Sequence, residues 1–404
     1  MLAPSSRVPF RRQSLTISIL LTALVALGQI STSIYTPSMP SLVQVFTTSP
    51  ATVNLSLSLF LFGFAICQLV FGPLSDRHGR RPVLFAGLVL YCLASLICAL
   101  APTINVLIAA RFLQGMAASV GPVLGRAIVR DLYGPDRSAA AMGYIGAALA
   151  ISPAVSPMIG GYVQVGLGWR WVFVLLAIIG VGILITAWHK LSESRPPHEA
   201  HRLDDRSFVS ACKRLIVDQY FWRYTLAVGC VFGGLMAYTA GAPFVFIDGL
   251  GLSPKDFGVL FIFPVSGFFI GSLLAGRMSA AIGLDPLLRI GLMLSIAGGF
   301  AMWAANLDGQ TGIVSVLAPM ALFCVGLGLT LATGMAGALK AFPHNAGAAS
   351  ALLGFVQIFI GSLASFAVGA LTSVSAQALG AAILILSFAA IAAFTILPRC
   401  TLPR

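Results

Sequence analysis

The chain contains twelve separate stretches of about 20 predominantly apolar residues, and this pattern restricts its fold more than any other feature. About 20 helical residues are needed to cross the hydrocarbon core of a bilayer, and the core of a soluble domain cannot accommodate twelve such segments. Hydrophobic residues account for 58% of the sequence and charged residues for 9%. The pattern therefore predicts an all-α polytopic membrane protein with twelve transmembrane helices. The predicted spans are 15–35, 51–73, 83–102, 104–129, 139–163, 171–189, 223–247, 257–280, 287–306, 313–336, 345–370 and 377–397.

A polar stretch at 190–222 separates the first six predicted spans from the last six and holds the densest charge in the sequence. We therefore predict an N-terminal six-helix bundle at 1–189, a cytoplasmic linker at 190–222 and a C-terminal six-helix bundle at 223–404. The segment 276–283 is a degenerate copy of the charged segment 72–82, at the matching position of the other half. This similarity favours two pseudo-symmetric bundles related by duplication.

The basic residues predict membrane topology rather than a nucleic-acid partner. Lys and Arg number 24 against 12 Asp and Glu, but they form short clusters between apolar spans instead of one basic face. With the N-terminus in the cytoplasm, 21 of the 24 lie at or near cytoplasmic ends and loops, so the positive-inside rule predicts that both termini are cytoplasmic. The seven cysteines are scattered without metal-ligand spacing, and no metal site is expected.

Residues 72–82 form a short charged turn between the second and third predicted spans. Five of these eleven residues are Asp, Arg or His, in a chain where charge is rare. Gly72 permits the close approach of another helix, Gly79 permits a positive φ, and Asp76 is suited to cap a helix from the other half. The turn is therefore predicted to be a conformational latch, although its arginines are also explained as topology anchors. The latch candidates are Gly72, Asp76, Arg77, Gly79, Arg80 and Arg81.

Arg111 lies inside the fourth predicted span, where an Arg costs roughly 2.5–3.5 kcal/mol on insertion scales. Such a residue is expected to face a cavity or a polar partner, or else to snorkel to the outer interface. Acidic residues near the spans are few. Asp248 at the outer end of the seventh span is the best placed, although it is also explained as a solvated helix end, and Asp131 at the inner end of the fourth follows. Arg126, Arg130 and Asp131 are also candidates to extend a charge network towards Asp76.

The fifth predicted span contains small residues and prolines at 152–162. Pro153 and Pro157 allow a helix to bend, and Gly160 and Gly161 allow another helix to approach closely. Taken alone, these residues predict close packing between helices and nothing more.

Amide and tyrosine side chains within the spans are candidates for a substrate cavity. A mostly apolar pocket with a few amides suits amphiphilic small molecules better than sugars, which require many hydrogen bonds. The same side chains are also explained as contacts between helices. The cavity candidates are Gln29, Tyr35, Gln114, Tyr144, Tyr238 and Gln357.

Three of these segments resemble signature elements of the major facilitator superfamily. Residues 72–82 resemble the G-x-x-x-D-R-x-G-R-R turn between its second and third helices. Residues 111–115 resemble the R-x-x-Q-G element of its fourth helix. Residues 152–162 resemble the G-P-x-x-G-G element of its antiporters, with Ser156 where that pattern has Gly.

Shorter matches are similar to the bicyclomycin/chloramphenicol resistance (Bcr/CflA) branch of the drug:proton antiporters. They lie at 35–40, 242–245 and 346–351. This branch often carries an Asp two residues before the tyrosine of the first span, whereas the present chain has Ser33 there. The resemblance therefore implies proton coupling, but the expected proton acceptor of the first span is missing.

The resemblance implies the twelve-helix fold of the superfamily and a role for Arg111 in proton coupling. Since few other acids are available, we hypothesise that Arg111 and Asp248 share the proton-linked step. The antiporter-like element at 152–162 favours export over import.

These features together predict a proton-coupled exporter of drug-like amphiphilic small molecules in a bacterial inner membrane, working by alternating access and monomeric. No G-x-x-x-x-G-K-[ST] motif occurs in the sequence, so we expect no cofactor and a proton gradient as the energy source. The alternative is a proton-coupled porter of an amino acid or organic acid, with Arg111 as the partner of the anion. An enzyme is not expected, because neither H-E-x-x-H nor G-x-S-x-G occurs, and a sensor would require an additional soluble domain.

Overall fold

The computed structural model describes residues 15–194, 205–309, 311–371 and 375–398, with backbone alone for 15, 133–145, 147–150, 205–207, 209 and 344. Within these ranges the regular elements are helices, and no strand occurs. The first part of the chain forms α1 (Leu15–Ser33), α2 (Met39–Val45), α3 (Pro50–His78), α4 (Arg80–Leu100), α5 (Ile104–Ala118), α6 (Val120–Leu167) and α7 (Trp169–Lys190). The second part forms α8 (Asp205–Val217), α9 (Gln219–Pro243), α10 (Pro254–Leu260), α11 (Ile262–Ile282), α12 (Leu284–Ala304), α13 (Ile313–Lys340), α14 (Ala346–Gly369) and α15 (Ala376–Ile396).

In the described part of the chain, 11 helical segments are long and apolar enough to cross a membrane, and they coincide with eleven of the predicted spans. The remaining predicted span, 139–163, lies in the C-terminal part of α6. A straight helix of 48 residues would be about 72 Å long. Both ends of α6 nevertheless contact the same helix, Gly121 at Leu24 of α1 and Gly160 at Ile34, just beyond its end. Because these two contacts are only about 15 Å apart along α1, α6 reverses its direction and supplies two crossings.

Single glycines with positive φ join three pairs of consecutive helices. Gly79 joins α3 to α4 at φ 94°, Gly168 joins α6 to α7 at φ 90°, and Gly283 joins α11 to α12 at φ 87°. Glycine reaches this region of φ without the steric penalty of a Cβ atom. The same junction therefore recurs in both halves of the chain, and Gly283 is the structural counterpart of Gly79 that the degenerate repeat indicated.

The buried apolar side chains form two large clusters. One contains residues between 20 and 191 together with four side chains between 232 and 244, and the other lies between 211 and 394. Helix α8, within the polar stretch at 190–222, is amphipathic: Leu215 is fully buried on the second cluster, whereas Lys213 is exposed. The domain boundaries placed in this stretch stay a prediction.

Two seams join the first half of the chain to the second. Along α3 and α14, the Ser58 hydroxyl donates to the Ser365 hydroxyl at 3.0 Å, and the Ser362 hydroxyl donates to the Ser58 carbonyl at 2.8 Å. Along α6 and α10, Gly161 lies against the Pro254 carbonyl. Small residues let the backbones approach at both seams, and a cavity lies between the halves.

Candidate functional site

A cavity of about 620 Å³ is lined by α1, α6, α9, α11, α13 and α14. Its wall is predominantly apolar, with four phenylalanines at Phe232, Phe261, Phe268 and Phe269. The polar side chains that reach it are Gln29, Ser33, Tyr238, Thr239, Ser272 and Gln357. Among the described residues that line it there is no Asp, Glu, Lys or Arg. The cavity is large enough for a drug-sized molecule and offers few hydrogen-bonding groups.

Of the six predicted cavity residues, three line the cavity, two do not, and the side chain of one is not described. Gln29, Tyr238 and Gln357 line the cavity, and their role in substrate binding stays a prediction. Tyr35 and Gln114 do not line it, so this part of the prediction is wrong: both are fully buried inside the first half. The side chain of Tyr144 lies outside the described residues.

Arg111 is completely buried in α5 and is held by neutral groups. Its Nη1 donates to the Gln114 Oε1 at 2.7 Å and to the Ser31 carbonyl at 3.3 Å. The guanidinium carbon lies 4.1 Å from the ring centre of Phe60 and 4.8 Å from that of Tyr35, which are cation–π distances. Arg111 therefore does not snorkel to the interface, and it does not line the cavity.

The groups around Arg111 form a chain of uncharged hydrogen bonds. Gln114 Nε2 donates to the Ser95 hydroxyl at 2.8 Å, which in turn donates to the Tyr91 carbonyl at 2.7 Å. The Ser31 and Tyr91 hydroxyls are 2.6 Å apart. Within the described residues no carboxylate forms an ion pair with Arg111, and its Nε and Nη2 atoms have no partner. The site is thus an electropositive centre inside the first half. Isolated hydroxyls in apolar spans were the available sequence signal for these partners.

Asp248 is not in contact with Arg111. It lies in a π-helical turn (Phe244–Gly249) that follows α9, and its side chain is exposed. Arg111 instead points into the first half, between α1 and α4. The hypothesis that the two residues share the proton-linked step stays a prediction, and it requires a conformational change or an intermediate carrier.

The predicted turn at 72–82 is more helical than the sequence indicated, because α3 continues to His78 and α4 begins at Arg80. Asp76 pairs with Arg80 across the Gly79 junction, with 2.6 Å between Oδ1 and Nη1. Arg80 Nε also donates to Asp131 Oδ2 at 3.3 Å. The expected cap on a helix of the other half is therefore wrong in this structure, since the Asp76 carboxylate is occupied by an Arg of its own half.

Glu193, which follows α7, caps the N-terminus of α4. Its two carboxylate oxygens accept the backbone N–H groups of Arg80 and Arg81, each at 3.0 Å. A carboxylate is stabilised at this position by the helix dipole and by N–H groups that have no partner within the helix. The Ser194 hydroxyl donates to Asp131 Oδ2 at 3.3 Å, so both Glu193 and Ser194 contact residues at this junction. We call Asp76, Arg80, Arg81, Asp131 and Glu193 the junction cluster.

Other predicted members stand apart from the junction cluster. A Cβ atom on Gly72 would have no described atom within 4 Å, so the expected close helix approach is wrong. Arg77 is exposed and has no hydrogen-bond or ion-pair partner among the described residues. Arg126 Nε donates at 2.8 Å to the Pro122 carbonyl of its own helix, so the network reaches Asp131 without it.

The small-residue run of α6 contacts both halves. Gly160 lies against the Ile34 carbonyl, and Gly161 against the Pro254 carbonyl. In return, Gly258 of α10 lies against the Pro157 carbonyl. Pro153 lines the cavity. This run therefore closes the two halves against each other beside the cavity.

A second charge cluster, which the sequence did not indicate, lies beside the Gly283 junction. Arg223 is 2% exposed; its Nε donates to the Phe394 carbonyl at 2.8 Å, and its Nη2 lies 3.4 Å from Asp285 Oδ2. The Tyr224 hydroxyl donates to the other Asp285 oxygen. Each half thus has an Arg–Asp cluster next to its glycine junction. The described part of the chain contains no group of three or more His, Cys, Asp or Glu that is suited to a metal ion.

The family model described as Major Facilitator Superfamily matches residues 20–366. Multidrug resistance protein D of Escherichia coli (strain K12) is 31% identical over 356 residues, with 88% of this chain and 89% of that protein covered. A chloramphenicol resistance protein of Pseudomonas aeruginosa is 31% identical over 335 residues, with coverages of 83% and 79%. The E. coli xylose transporter XylE, solved in a partially occluded inward-open conformation, has a TM-score of 0.74 at 15% identity, with coverages of 95% and 97%. The last comparison shows the fold alone.

Proposed function

Because the chain belongs to the Major Facilitator Superfamily, we propose that it is a secondary transporter that exports drug-like amphiphilic small molecules in exchange for protons. The observation that carries the proposal is the cavity of about 620 Å³ between the two halves. Drug-sized ligands occupy cavities of roughly 300–1,000 Å³ that are mostly apolar with a few placed polar groups. The relatives named for multidrug and chloramphenicol resistance support the same substrate class.

Alternating access is the mechanism that fits this architecture. The halves touch along the α3–α14 and α6–α10 seams, and rocking about the cavity would open each side in turn. The contacts at Ser58, Ser365, Gly161 and Gly258 involve small residues, and the Phe62 and Phe359 rings, 6.0 Å apart, also meet along the α3–α14 seam. In this proposal the protein binds and moves its substrate without any covalent step.

The proton gradient is the proposed energy source. One charge moving through 100 mV releases about 2.3 kcal/mol, which supports a substrate gradient of about 50-fold. The buried guanidinium of Arg111 supplies an electropositive centre. In this proposal its electrostatic potential changes the proton affinity of a proton-carrying group and so couples proton uptake to substrate export. Asp248 stays the proposed carboxylate partner. The distribution of basic residues supports an orientation with both termini in the cytoplasm. The proposed location is a bacterial inner membrane, and we expect a monomer.

Drug-susceptibility profiling tests this proposal. Bacteria that lack their main exporters would express the wild-type chain, the cavity variant Phe268→Ala, or the matched variant Phe388→Ala, whose ring is 53% exposed on α15. We expect the wild type and Phe388→Ala to raise the inhibitory concentration of several amphiphilic drugs. Phe268→Ala should change which drugs are resisted, and an uncoupler should abolish the resistance. Unchanged susceptibility to the whole panel, with the protein present in the membrane, would contradict drug export and favour a metabolite substrate.

A further inference from the structure

The cavity has no charged group with which to hold a charged ligand. Its described lining contains no Asp, Glu, Lys or Arg, and its polar contribution comes from neutral amides and hydroxyls such as Gln29, Ser33 and Gln357. The neighbouring stretch of α6 around Gly146, from 138 to 152, contains none of these charged residues in its sequence either. A ligand that enters the cavity exchanges water for an apolar wall with a few neutral dipoles.

A cation is penalised in such a place. An ammonium group that leaves water for an apolar cavity is stabilised only if a carboxylate or several hydrogen-bond acceptors replace its hydration. The phenylalanine rings offset a part of this cost through their negative faces. Arg111 opposes a cation as well, because its guanidinium is buried in the first half, against Ser31 of α1, without an ion-pair partner among the described residues. Its uncompensated charge raises the electrostatic potential on the α1 side of the cavity.

We infer that the cavity selects amphiphiles without a positive charge, and that it does so because no carboxylate lines it. This inference rests on the export function proposed above and specifies the substrate class of the same site. Neutral molecules with an amide or carbonyl group find hydrogen-bond donors in the Gln29 and Gln357 amides, and their apolar part contacts the phenylalanines. The discrimination resides in charge and not in shape.

An isosteric pair of ligands isolates charge from shape. One probe is a naphthyl amide that ends in a tert-butyl group, and the other replaces the quaternary carbon with nitrogen to give a trimethylammonium ion. Binding is measured by equilibrium dialysis with the purified full-length protein at pH 8, and transport is measured in proteoliposomes with an imposed proton gradient. The wild type is expected to bind the ammonium probe about tenfold or more weakly than the tert-butyl probe.

Isosteric substitutions then supply the missing charge. Gln29→Glu and Gln357→Glu each add a carboxylate to one half of the cavity without changing the shape of the side chain. Each is expected to raise the affinity for the ammonium probe by about tenfold, with no increase for the tert-butyl probe. The matched control is Gln164→Glu, because Gln164 donates to the Ser41 hydroxyl at 3.1 Å and does not line the cavity. Because the two variants lie in different halves, the other variant still tests the inference if one of them does not fold.

The outcomes separate this inference from the function on which it rests. Preference of the wild type for the tert-butyl probe, together with a gain for the ammonium probe in either cavity variant but not in Gln164→Glu, supports the inference. Equal binding and transport of both probes by the wild type overturns the inference and leaves amphiphile export standing. If folded wild-type protein neither binds nor transports either probe, both the inference and the proposed export function are overturned.

Discussion

The guanidinium carbon of Arg111 lies 4.1 Å from the ring centre of Phe60, inside a half-molecule that offers it no carboxylate in its described part. A buried charge without a counterion is costly, and replacing buried ionic groups with well-packed apolar ones is often neutral or stabilising. Gln114 and the Ser31 carbonyl satisfy only one of the three guanidinium nitrogens. The arrangement is therefore expensive for stability, and this cost is understandable if the charge serves transport.

Arg111→Met is expected to separate stability from function. Met fills most of the volume between the aromatic rings and removes the uncompensated charge, so the melting temperature in detergent should stay the same or rise. Proton-driven drug transport should fall by at least about tenfold, because the electropositive centre is lost. The control is Arg170→Met, since Arg170 is exposed over the Trp169 ring and should tolerate the change. A clear fall in melting temperature that accounts for the lost transport would assign Arg111 a structural role instead.

Asp76→Asn is expected to slow transport and to leave substrate affinity nearly unchanged. The substitution removes the charge that pairs with Arg80 at 2.6 Å, and neither residue lines the cavity. A partly exposed pair of this kind contributes about 0.2–1 kcal/mol, so global stability should change little. Initial-rate measurements of proton-driven transport provide kcat and KM, and Asp308→Asn, an exposed site, is the control. Lost affinity with normal turnover would show that Asp76 acts on the substrate site.

Glu193→Ala is expected to loosen the first turn of α4. The backbone N–H groups of Arg80 and Arg81 lose their acceptor, and loss of a helix cap costs about 0.5–2 kcal/mol. Hydrogen exchange at these two amides should accelerate several-fold, whereas Glu193→Gln should give a smaller effect because its carbonyl oxygen still accepts one bond. Ser194→Ala is the control, because Ser194 contacts Asp131 and not these amides. Equal protection in wild type and Glu193→Ala would rule out the cap.

Gly161→Ala is expected to disturb the contact between the halves. A Cβ atom at Gly161 overlaps the Pro254 carbonyl, and forcing atoms into such a contact costs about 1–3 kcal/mol. The strain arises only while the halves touch, so the Ala variant should disfavour the state in which this seam is closed. Transport should therefore fall, and a cysteine introduced at this seam should become more accessible to labelling. Gly166→Ala on the same helix is the matched control, since its Cβ meets no described atom within 4 Å. Identical transport by the two variants would show that the seam tolerates separation.

Several local features followed from the sequence because their causes are local. Gly79 lies at a helix junction where a positive φ is needed, and the residues flanking it already indicated a tight turn. The apolar character of the cavity follows from a composition that leaves few charges to line it. The extent of α3 did not follow, because the charged residues before Gly79 indicated a turn, whereas their backbone remains helical to His78.

The partners in each network did not follow from the sequence. Glu193 caps an amide 113 positions earlier in the chain, and Ser365 meets Ser58 across 307 positions. Gln114 and Tyr35 were predicted to line the cavity but face the interior of their own half. Neighbouring positions on a helix point in directions about 100° apart, so a small rotation of the helix decides what each side chain meets.

That this chain crosses a membrane many times as helices is readable from its sequence, because the thickness of the bilayer sets the length and apolarity of each span. The sequence also placed Arg111 within one of those spans and the charged turn between two others. Only the tertiary structure decided that Arg111 is enclosed by neutral groups, that Glu193 belongs to the junction cluster, and that Gln29 and Gln357 face one cavity. Those relationships depend on how helices distant in sequence rotate and pack against one another, and no local pattern encodes that rotation.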